Sequence, residues 1–145
     1  MLLAHGVPLS THDVDGLPLE SSISPAELDC LVKEVAVQLG INAQWYNDYF
    51  NTFTYALPKD FRDRLIEVYK GKYLTVKALG AEDLLIMKCF AGREKDIGHA
   101  RALIRRGANR EMVEDHIEKL ALKNLPGANS ALEFLEDLVM EMDNA

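Results

Sequence analysis

Two aspartates near the start of the chain, Asp13 and Asp15, have a spacing that suits metal-dependent chemistry. They fall in residues 10–16, a short segment between proline and glycine residues that predicts a β-strand. Because side chains alternate along a strand, Thr11, Asp13 and Asp15 share one face, with the aspartate backbones about 6 to 7 Å apart. Their carboxylates can then converge on a hard divalent cation such as Mg²⁺. An exposed turn without a ligand is the alternative interpretation.

A second group of charged residues begins with Lys88. Residues 84–91 are otherwise apolar, which predicts a buried helix, and a buried ammonium is costly without a counter-charge. The glycine that follows predicts a break before a second helix, residues 96–107, so that Lys88, Arg93 and Asp96 gather at the corner. One interpretation is a structural ion pair of Lys88 or Arg93 with Asp96. The other is that both cations face a polyphosphate or a metal-binding carboxylate cluster.

A third acidic candidate lies in a predicted β-hairpin. Residues 65–69 and 73–79 are rich in β-branched and aromatic side chains and flank a Lys-Gly-Lys turn. On the first strand Glu67 shares a face with Leu65 and Tyr69, and it is a candidate third carboxylate for the aspartate pair. The alternative is an edge strand with one acid that faces solvent.

Local signals predict the helices that position these residues. Ser-Pro-Ala-Glu at residues 24–27 predicts a capped helix that ends at Gly40, and Ser-Ala-Leu-Glu at residues 130–133 predicts the start of the last helix. Spacings of four among the aromatic residues of 45–53 predict one or two helical turns, and Asn109 predicts the N-cap of a further helix. The acidic face of the last helix either stays in water or pairs with arginines of the preceding helices.

Composition limits the function classes. The chain of 145 residues is 48% hydrophobic with a net charge of −7, which predicts one domain over 1–145 and argues against a general nucleic-acid coat. No apolar run approaches the about 18 residues of a membrane span, and the N-terminus lacks a basic leader. Cys30 and Cys89 lie in apolar helical runs, which predicts buried thiols in a reducing compartment. We therefore expect a cytoplasmic protein without membrane partners.

The order of these motifs resembles the nucleotidyltransferase-like proteins of the abortive-infection (AbiEii-like) toxin type. The resemblance extends to about residue 120 and rests on Thr-x-Asp-x-Asp at 11–15 and on residues 83–96, where Asp-Leu-Leu-x-x-Lys is followed by Arg and Lys-Asp. It implies an α/β (α+β) fold with a small mixed sheet flanked by helices. The sheet-containing part would cover about residues 1–80, and a helical C-terminal half would cover about residues 81–145.

The resemblance also implies an activity, which is Mg²⁺-dependent transfer of a nucleotide from a nucleoside triphosphate to an RNA or protein acceptor. Its candidate catalytic residues are Asp13, Asp15, Lys88 and Asp96. Its candidate nucleotide-binding residues are Thr11, Lys88 and Arg93. Its candidate metal ligands are Asp13, Asp15 and Glu67. We expect the aspartate pair and Lys88 to share one pocket.

Two other functions stay open. The family carries a Gly-Gly or Gly-Ser phosphate cradle on a helix before the aspartates, whereas residues 1–6 match only the last turn of such a helix. A non-catalytic module that binds an antitoxin-like protein, or a second copy of itself as a homodimer, is therefore the second hypothesis. The third is a helical interaction domain unrelated to nucleotides.

Overall fold

The computed structural model of the protein describes residues 2–6, 12–20, 22–47 and 49–145. The fold is mixed α+β, as expected. In chain order its elements are α1 (Leu2–His5), β1 (Val14–Asp15), α2 (Pro25–Leu39), β2 (Tyr46–Asn47), a 3-10 helix (Tyr49–Ala56), a second 3-10 helix (Phe61–Arg64), β3 (Ile66–Lys70), β4 (Thr75–Ala78), α3 (Ala81–Ala91), α4 (Glu94–Arg105), α5 (Arg110–Leu122) and α6 (Ala128–Asp143).

The chain divides into two compact units. The larger consists of Met1–Leu9 and Tyr55–Ala145, and the smaller consists of Ser10–Thr54. The expected helical C-terminal half is confirmed, and α3 to α6 all belong to the larger unit. Within the described ranges, no helix is both long and apolar enough to cross a bilayer.

The smaller unit contains a short parallel pair of strands, β1 and β2. The backbone N–H of Gly16 extends the pairing with a 3.0 Å hydrogen bond to the carbonyl of Asn47. The predicted strand over residues 10–16 is thus confirmed only at Val14–Asp15, and Thr11 lies outside the described residues. The described strands form two two-stranded sheets, the parallel pair β1 and β2 and the antiparallel pair β3 and β4.

Helix α2 follows its sequence signals closely. The Glu27 N–H donates to Ser24 Oγ at 3.2 Å, and the Ser24 N–H donates to the Glu27 carboxylate at 2.6 Å, which confirms the capping box. Gly40 closes the helix in the left-handed conformation, with φ 65°. The indole N–H of Trp45 then donates to the carbonyl of Val32 at 2.9 Å and ties the following segment to α2.

The aromatic segment differs from its prediction. Helical turns were expected over residues 45–53, but the 3-10 helix begins only at Tyr49. The residues just before it, Tyr46–Asn47, form β2 instead. Side-chain spacing alone does not distinguish these outcomes, because pairing with β1 is a contact between distant parts of the chain.

The core of the larger unit surrounds α3, which packs against α4, α5 and α6. Helix α3 buries nearly its whole circumference, as its apolar sequence predicts. The buried core residues are Ala56, Leu85, Ile86, Cys89, Ala100, Leu103, Ala108, Val113, Ile117, Ala131, Leu135 and Leu138.

The predicted hairpin is confirmed as antiparallel β3 and β4, but one of its details is wrong. Glu67 pairs with Lys77 and Tyr69 pairs with Val76, so the register shifts between these two pairs. Because Lys77 and Val76 are neighbours on β4, they point to opposite faces of the sheet. The bulge therefore breaks the alternation, and the expectation that Leu65, Glu67 and Tyr69 share a face is wrong.

The predicted N-cap of α5 is confirmed, and the predicted capping box of α6 is wrong. Asn109 Oδ1 accepts from the Met112 N–H at 3.1 Å and caps α5 as predicted. The capping box predicted at residues 130–133 is absent from α6, which already begins at Ala128. The Ala131 N–H donates to the Gly127 carbonyl at 2.9 Å, so the helical hydrogen bonds have begun before residue 130 could act as a cap.

Part of the acidic face of α6 pairs with arginines. Arg101 Nη2 lies 2.8 Å from Glu141 Oε2, and Arg110 Nη1 lies 3.6 Å from Asp143 Oδ2. These contacts confirm pairing within the fold for two of the acids. The carboxylates are largely exposed, so each pair contributes little to stability.

Candidate functional site

The best-defined charged group in the larger unit lies where α3 meets α4, and we call Lys88, Arg93 and Asp96 the α3–α4 corner. Asp96 is fully buried and accepts hydrogen bonds from both cations. Lys88 Nζ lies 2.8 Å from Asp96 Oδ1, and Arg93 Nε lies 2.6 Å from Asp96 Oδ2. A third bond joins Arg93 Nη2 to Oδ1 at 3.2 Å.

Local backbone geometry produces this corner. Gly92, with φ 57°, ends α3 in the left-handed conformation and confirms the predicted break. Arg93 then adopts an extended conformation as the N-cap of α4, which starts two residues earlier than predicted. Lys88 in the last turn of α3 and Asp96 in the first turn of α4 are thereby brought together. The Asp96 carboxylate also has the favourable charge for a helix N-terminus.

The electrostatics of the corner favour an ionised Asp96. Burial alone would raise the pKa of the Asp96 carboxyl, but the hydrogen bonds from Arg93 and Lys88 outweigh burial and hold that pKa below its usual range. Two cations thus contact the one carboxylate. The side chains of Lys88 and Arg93 remain 14% and 30% exposed, so solvent reaches them.

These contacts decide whether the charged residues of the corner form a structural ion pair. The ion-pair interpretation of Lys88, Arg93 and Asp96 is confirmed, with both cations on the one acid. A role for Lys88 and Arg93 in binding phosphate stays a prediction. The two interpretations are compatible, because the pairing fixes the cations in place and leaves both side chains partly exposed.

His99, which was not among the predicted site residues, lies near this corner on α4. His99 follows Asp96 by three residues on α4, which places both on one face of the helix. Its Nδ1 is buried and has no hydrogen-bond partner among the described residues. Burial, followed by the charge of Lys88, lowers the pKa of His99. The sequence signal was the three-residue spacing from Asp96 on a helix with a buried face.

A second buried carboxylate was also missed. Asp83, in the first turn of α3, is fully buried and accepts from Arg64 Nε and Nη2, both at 2.8 Å. Arg64 also pairs with exposed Asp60 at 2.8 Å. The hydrogen bonds that Arg64 donates to Asp83, and then to Asp60, raise the pKa of its guanidinium. This group joins the second 3-10 helix to α3, and a structural role accounts for it.

The predicted metal ligands are exposed. Asp15 is the second residue of β1 and Asp13 lies just before the strand, both in the smaller unit. Glu67 is exposed on β3 in the larger unit, opposite Lys77. Across the residues described, no group of three or more His, Cys, Asp or Glu side chains is arranged as a metal site. Thr11, the predicted nucleotide-binding residue of this segment, lies outside the described part.

The two cysteines differ from each other. Cys89 is buried in α3, as predicted, and burial raises the pKa of its thiol to about 12. The prediction that Cys30 is buried is wrong, because its side chain is exposed on α2. Cys30 precedes buried Val32 by two residues and so lies about 200° away around the helix axis.

Comparison with protein families matches residues 1–124 to a family described as nucleotidyltransferase of unknown function (DUF6036). The matched region contains the aspartate pair, Glu67 and the α3–α4 corner, and it ends before α6. Comparisons with curated proteins and with solved structures gave no match.

Proposed function

The chain belongs to this family of nucleotidyltransferases, and from that membership we propose that it transfers a nucleotide from a nucleoside triphosphate to an RNA or protein acceptor. The proposal places it with the abortive-infection toxin type, AbiEii-like. The observation that carries it is that the region matching the family contains both motifs selected on chemical grounds, the Asp13 and Asp15 pair and the corner with Lys88.

Mg²⁺ is the proposed cofactor, held by Asp13 and Asp15. Both carboxylates are exposed and offer the hard oxygen donors that this ion prefers, so the residues fit the metal. When bound, Mg²⁺ would neutralise charge on the phosphates of the nucleotide.

The remaining roles follow from charge and contact. Lys88 and Arg93 would bind phosphate oxygens, and Thr11 would contribute a hydroxyl to the nucleotide. Asp96 bonds both cations and has no exposed surface, so it acts as a positioning residue for them. It orients Lys88 and Arg93 without itself touching the substrate.

Calorimetric titration of the protein with a non-hydrolysable nucleoside triphosphate, in the presence and in the absence of Mg²⁺, tests this proposal. Wild type should bind the nucleotide more tightly with Mg²⁺ than without it, and Asp13→Asn and Asp15→Asn should each weaken the Mg²⁺-dependent binding by about tenfold or more. Glu20→Gln is the matched control, since Glu20 is an exposed acid of the same unit. Equal Mg²⁺-dependent affinity in wild type and both aspartate variants would refute the proposal.

A second candidate function is a non-catalytic module. The observation in its favour is that Asp96 pairs both corner cations within the protein, an arrangement that joins α3 to α4 without any ligand. Such a module would bind an antitoxin-like protein encoded by a neighbouring gene, or a second copy of this chain. This second function is tested by co-expressing the protein with the products of its neighbouring genes and measuring the mass of the purified species by light scattering. A stable complex supports the module, and a monomer in every mixture excludes it.

A further inference from the structure

The hairpin of β3 and β4, in the larger unit, exposes an apolar face that the proposed roles leave unexplained. In its register Ile66 lies opposite Ala78 and Tyr69 lies opposite Val76, so these four side chains share one face. Ile66, Tyr69 and Val76 are 37%, 56% and 40% exposed. Two-stranded hairpins are only marginally stable unless an apolar face packs against another element. The exposed face therefore indicates a docking surface.

Leu74 and Gly71 extend this face toward the turn. The Gly71 N–H donates to the Leu74 carbonyl at 2.7 Å, which continues the ladder beyond the last pair of strand residues. The Tyr69 ring lies over Gly71, where an added Cβ would be 2.6 Å from Tyr69 Oη. Leu74 is 60% exposed. The face thus carries bulky side chains near the turn and the small side chain of Ala78 at its other end.

The charged residues of the two strands lie on the opposite face of the hairpin. Glu67 pairs with Lys77 and Lys70 pairs with Thr75, and the alternation of side chains separates both pairs from the apolar face. A phosphate backbone or an anionic membrane binds a positively charged surface, and the apolar face is uncharged. The partner that fits this face is therefore another uncharged apolar surface.

We infer that the apolar face of the hairpin is a homodimer interface, which packs against the same face of a second copy of this chain. The chain has a net charge of −7, so two copies repel each other over most of their surface. Two copies of an uncharged face meet without bringing like charges into contact. A two-fold symmetric interface requires one patch that is complementary to itself.

The order of large and small side chains makes the face complementary to itself. A two-fold axis that runs between two hairpins, perpendicular to their strands, places the turn end of each on the far end of the other. Leu74 of one copy then faces Ala78 of the other, and Val76, in the middle of the face, faces Val76. Large side chains opposite small ones allow two sheet faces to pack closely.

The size of the face sets the expected affinity. One hairpin face has fewer residues than the about 20 to 30 a side of a standard interface, so we expect a dissociation constant of about 1 to 100 µM. The inference goes beyond nucleotide transfer and does not depend on it, because the face contains neither the aspartate pair nor the α3–α4 corner. It assigns a surface to the second copy that the non-catalytic module would bind.

Sedimentation velocity of the full-length chain, from about 5 to about 500 µM, tests the inference. Wild type should shift from monomer toward dimer as its concentration rises. Val76→Lys should weaken self-association by about tenfold or more, because it places two ammonium groups against each other at the two-fold axis. Thr75→Lys is the matched control, since it adds the same charge at the neighbouring exposed residue on the opposite face, and it should dimerise like wild type. Circular dichroism checks that both variants are folded.

Mixtures of charge variants distinguish a second copy from any other partner. Val76→Glu alone should also be monomeric, but an equimolar mixture of Val76→Lys and Val76→Glu should recover a dimer, because opposite charges then meet at the axis. A mixture of Thr75→Lys and Thr75→Glu should associate no more strongly than wild type. Gly71→Ala should weaken association by about threefold, because it displaces the Tyr69 ring from its place on the face without adding a charge.

Three results would overturn the inference. They are a wild type that stays monomeric over the whole concentration range, equal self-association of wild type and Val76→Lys, and a mixture of the two Val76 variants that stays monomeric. The double variant Asp13→Asn, Asp15→Asn should dimerise like wild type, so the interface and the proposed function are tested separately. A wild-type dimer that shows no Mg²⁺-dependent nucleotide binding would end the proposed function and leave the interface intact.

Discussion

Arg64 holds the buried carboxylate of Asp83 through two parallel hydrogen bonds, from Nε to Oδ2 and from Nη2 to Oδ1, each 2.8 Å long. Such a two-point contact fixes orientation as well as distance. It connects the second 3-10 helix to the first turn of α3, the helix on which Lys88 lies. The position of the α3–α4 corner therefore depends partly on this pair.

Substitution of Arg64 and substitution of Asp83 should lower the free energy of unfolding by different amounts. Arg64→Met leaves a fully buried carboxylate unpaired and should cost about 3 to 5 kcal/mol in free energy of unfolding. Asp83→Asn should cost less, about 1 to 2 kcal/mol, because Arg64 is 30% exposed and retains Asp60. Urea denaturation followed by circular dichroism measures both. Equal losses of unfolding free energy in the two variants would contradict this account. Asp63→Asn serves as the control, because Asp63 is a neighbouring exposed acid.

The sequence predicted those elements whose determinants lie close together in the chain. Helix α2 was predictable because Ser24, Glu27 and Gly40 mark its two ends within one stretch. The break at Gly92 was predictable for the same reason. The ion pair at Asp96 followed from a lysine in an otherwise apolar helix, which requires a nearby counter-charge.

The missed features depend on contacts between distant residues. Asp83 was not selected as a buried carboxylate, because its partner Arg64 precedes it by 19 residues. The buried Nδ1 of His99 depends on how α3 and α4 pack, which no local motif encodes. The capping box predicted at residues 130–133 failed for a different reason. Its sequence pattern is typical of a helix start, but the helix has already begun at Ala128, so residue 130 lies inside it.

The two thiols should react at different rates. Cys30 is exposed, whereas Cys89 is buried and burial raises the pKa of its thiol to about 12. Because the thiolate is the nucleophile, one thiol per native chain should react quickly with iodoacetamide at pH 8. Mass spectrometry should place the label on Cys30, and Cys30→Ser should abolish the fast phase. Rapid labelling of Cys89 without denaturant would contradict the burial of α3.

Two glycines around the corner should respond in opposite directions to alanine. Gly98 lies inside α4, and a Cβ there meets no atom within 4 Å, so Gly98→Ala should stabilise the protein by about 0.5 to 1 kcal/mol. Gly92 has φ 57°, so Gly92→Ala should destabilise it by about 1 kcal/mol. Urea denaturation of both variants checks the signs. Destabilisation by Gly98→Ala would show that this face of α4 is more closely packed than the structure indicates.

The contribution of Asp96 to stability should depend on pH in a defined direction. Its carboxylate is bonded to Lys88 and Arg93, so Asp96→Asn should cost about 2 to 3 kcal/mol at pH 7, a value reduced because both cations are partly exposed. The folded-state pKa lies below the ordinary value of 3.8, so the unfolded chain takes up the proton first on acidification. The stabilisation is therefore complete well above pH 3.8 and is lost as the pH falls through the folded-state pKa. Urea denaturation from pH 7 to pH 3 should show a constant difference between wild type and variant above about pH 5 and a narrowing difference below it. A difference that widens on acidification would mean that burial, and not the two cations, controls this carboxyl.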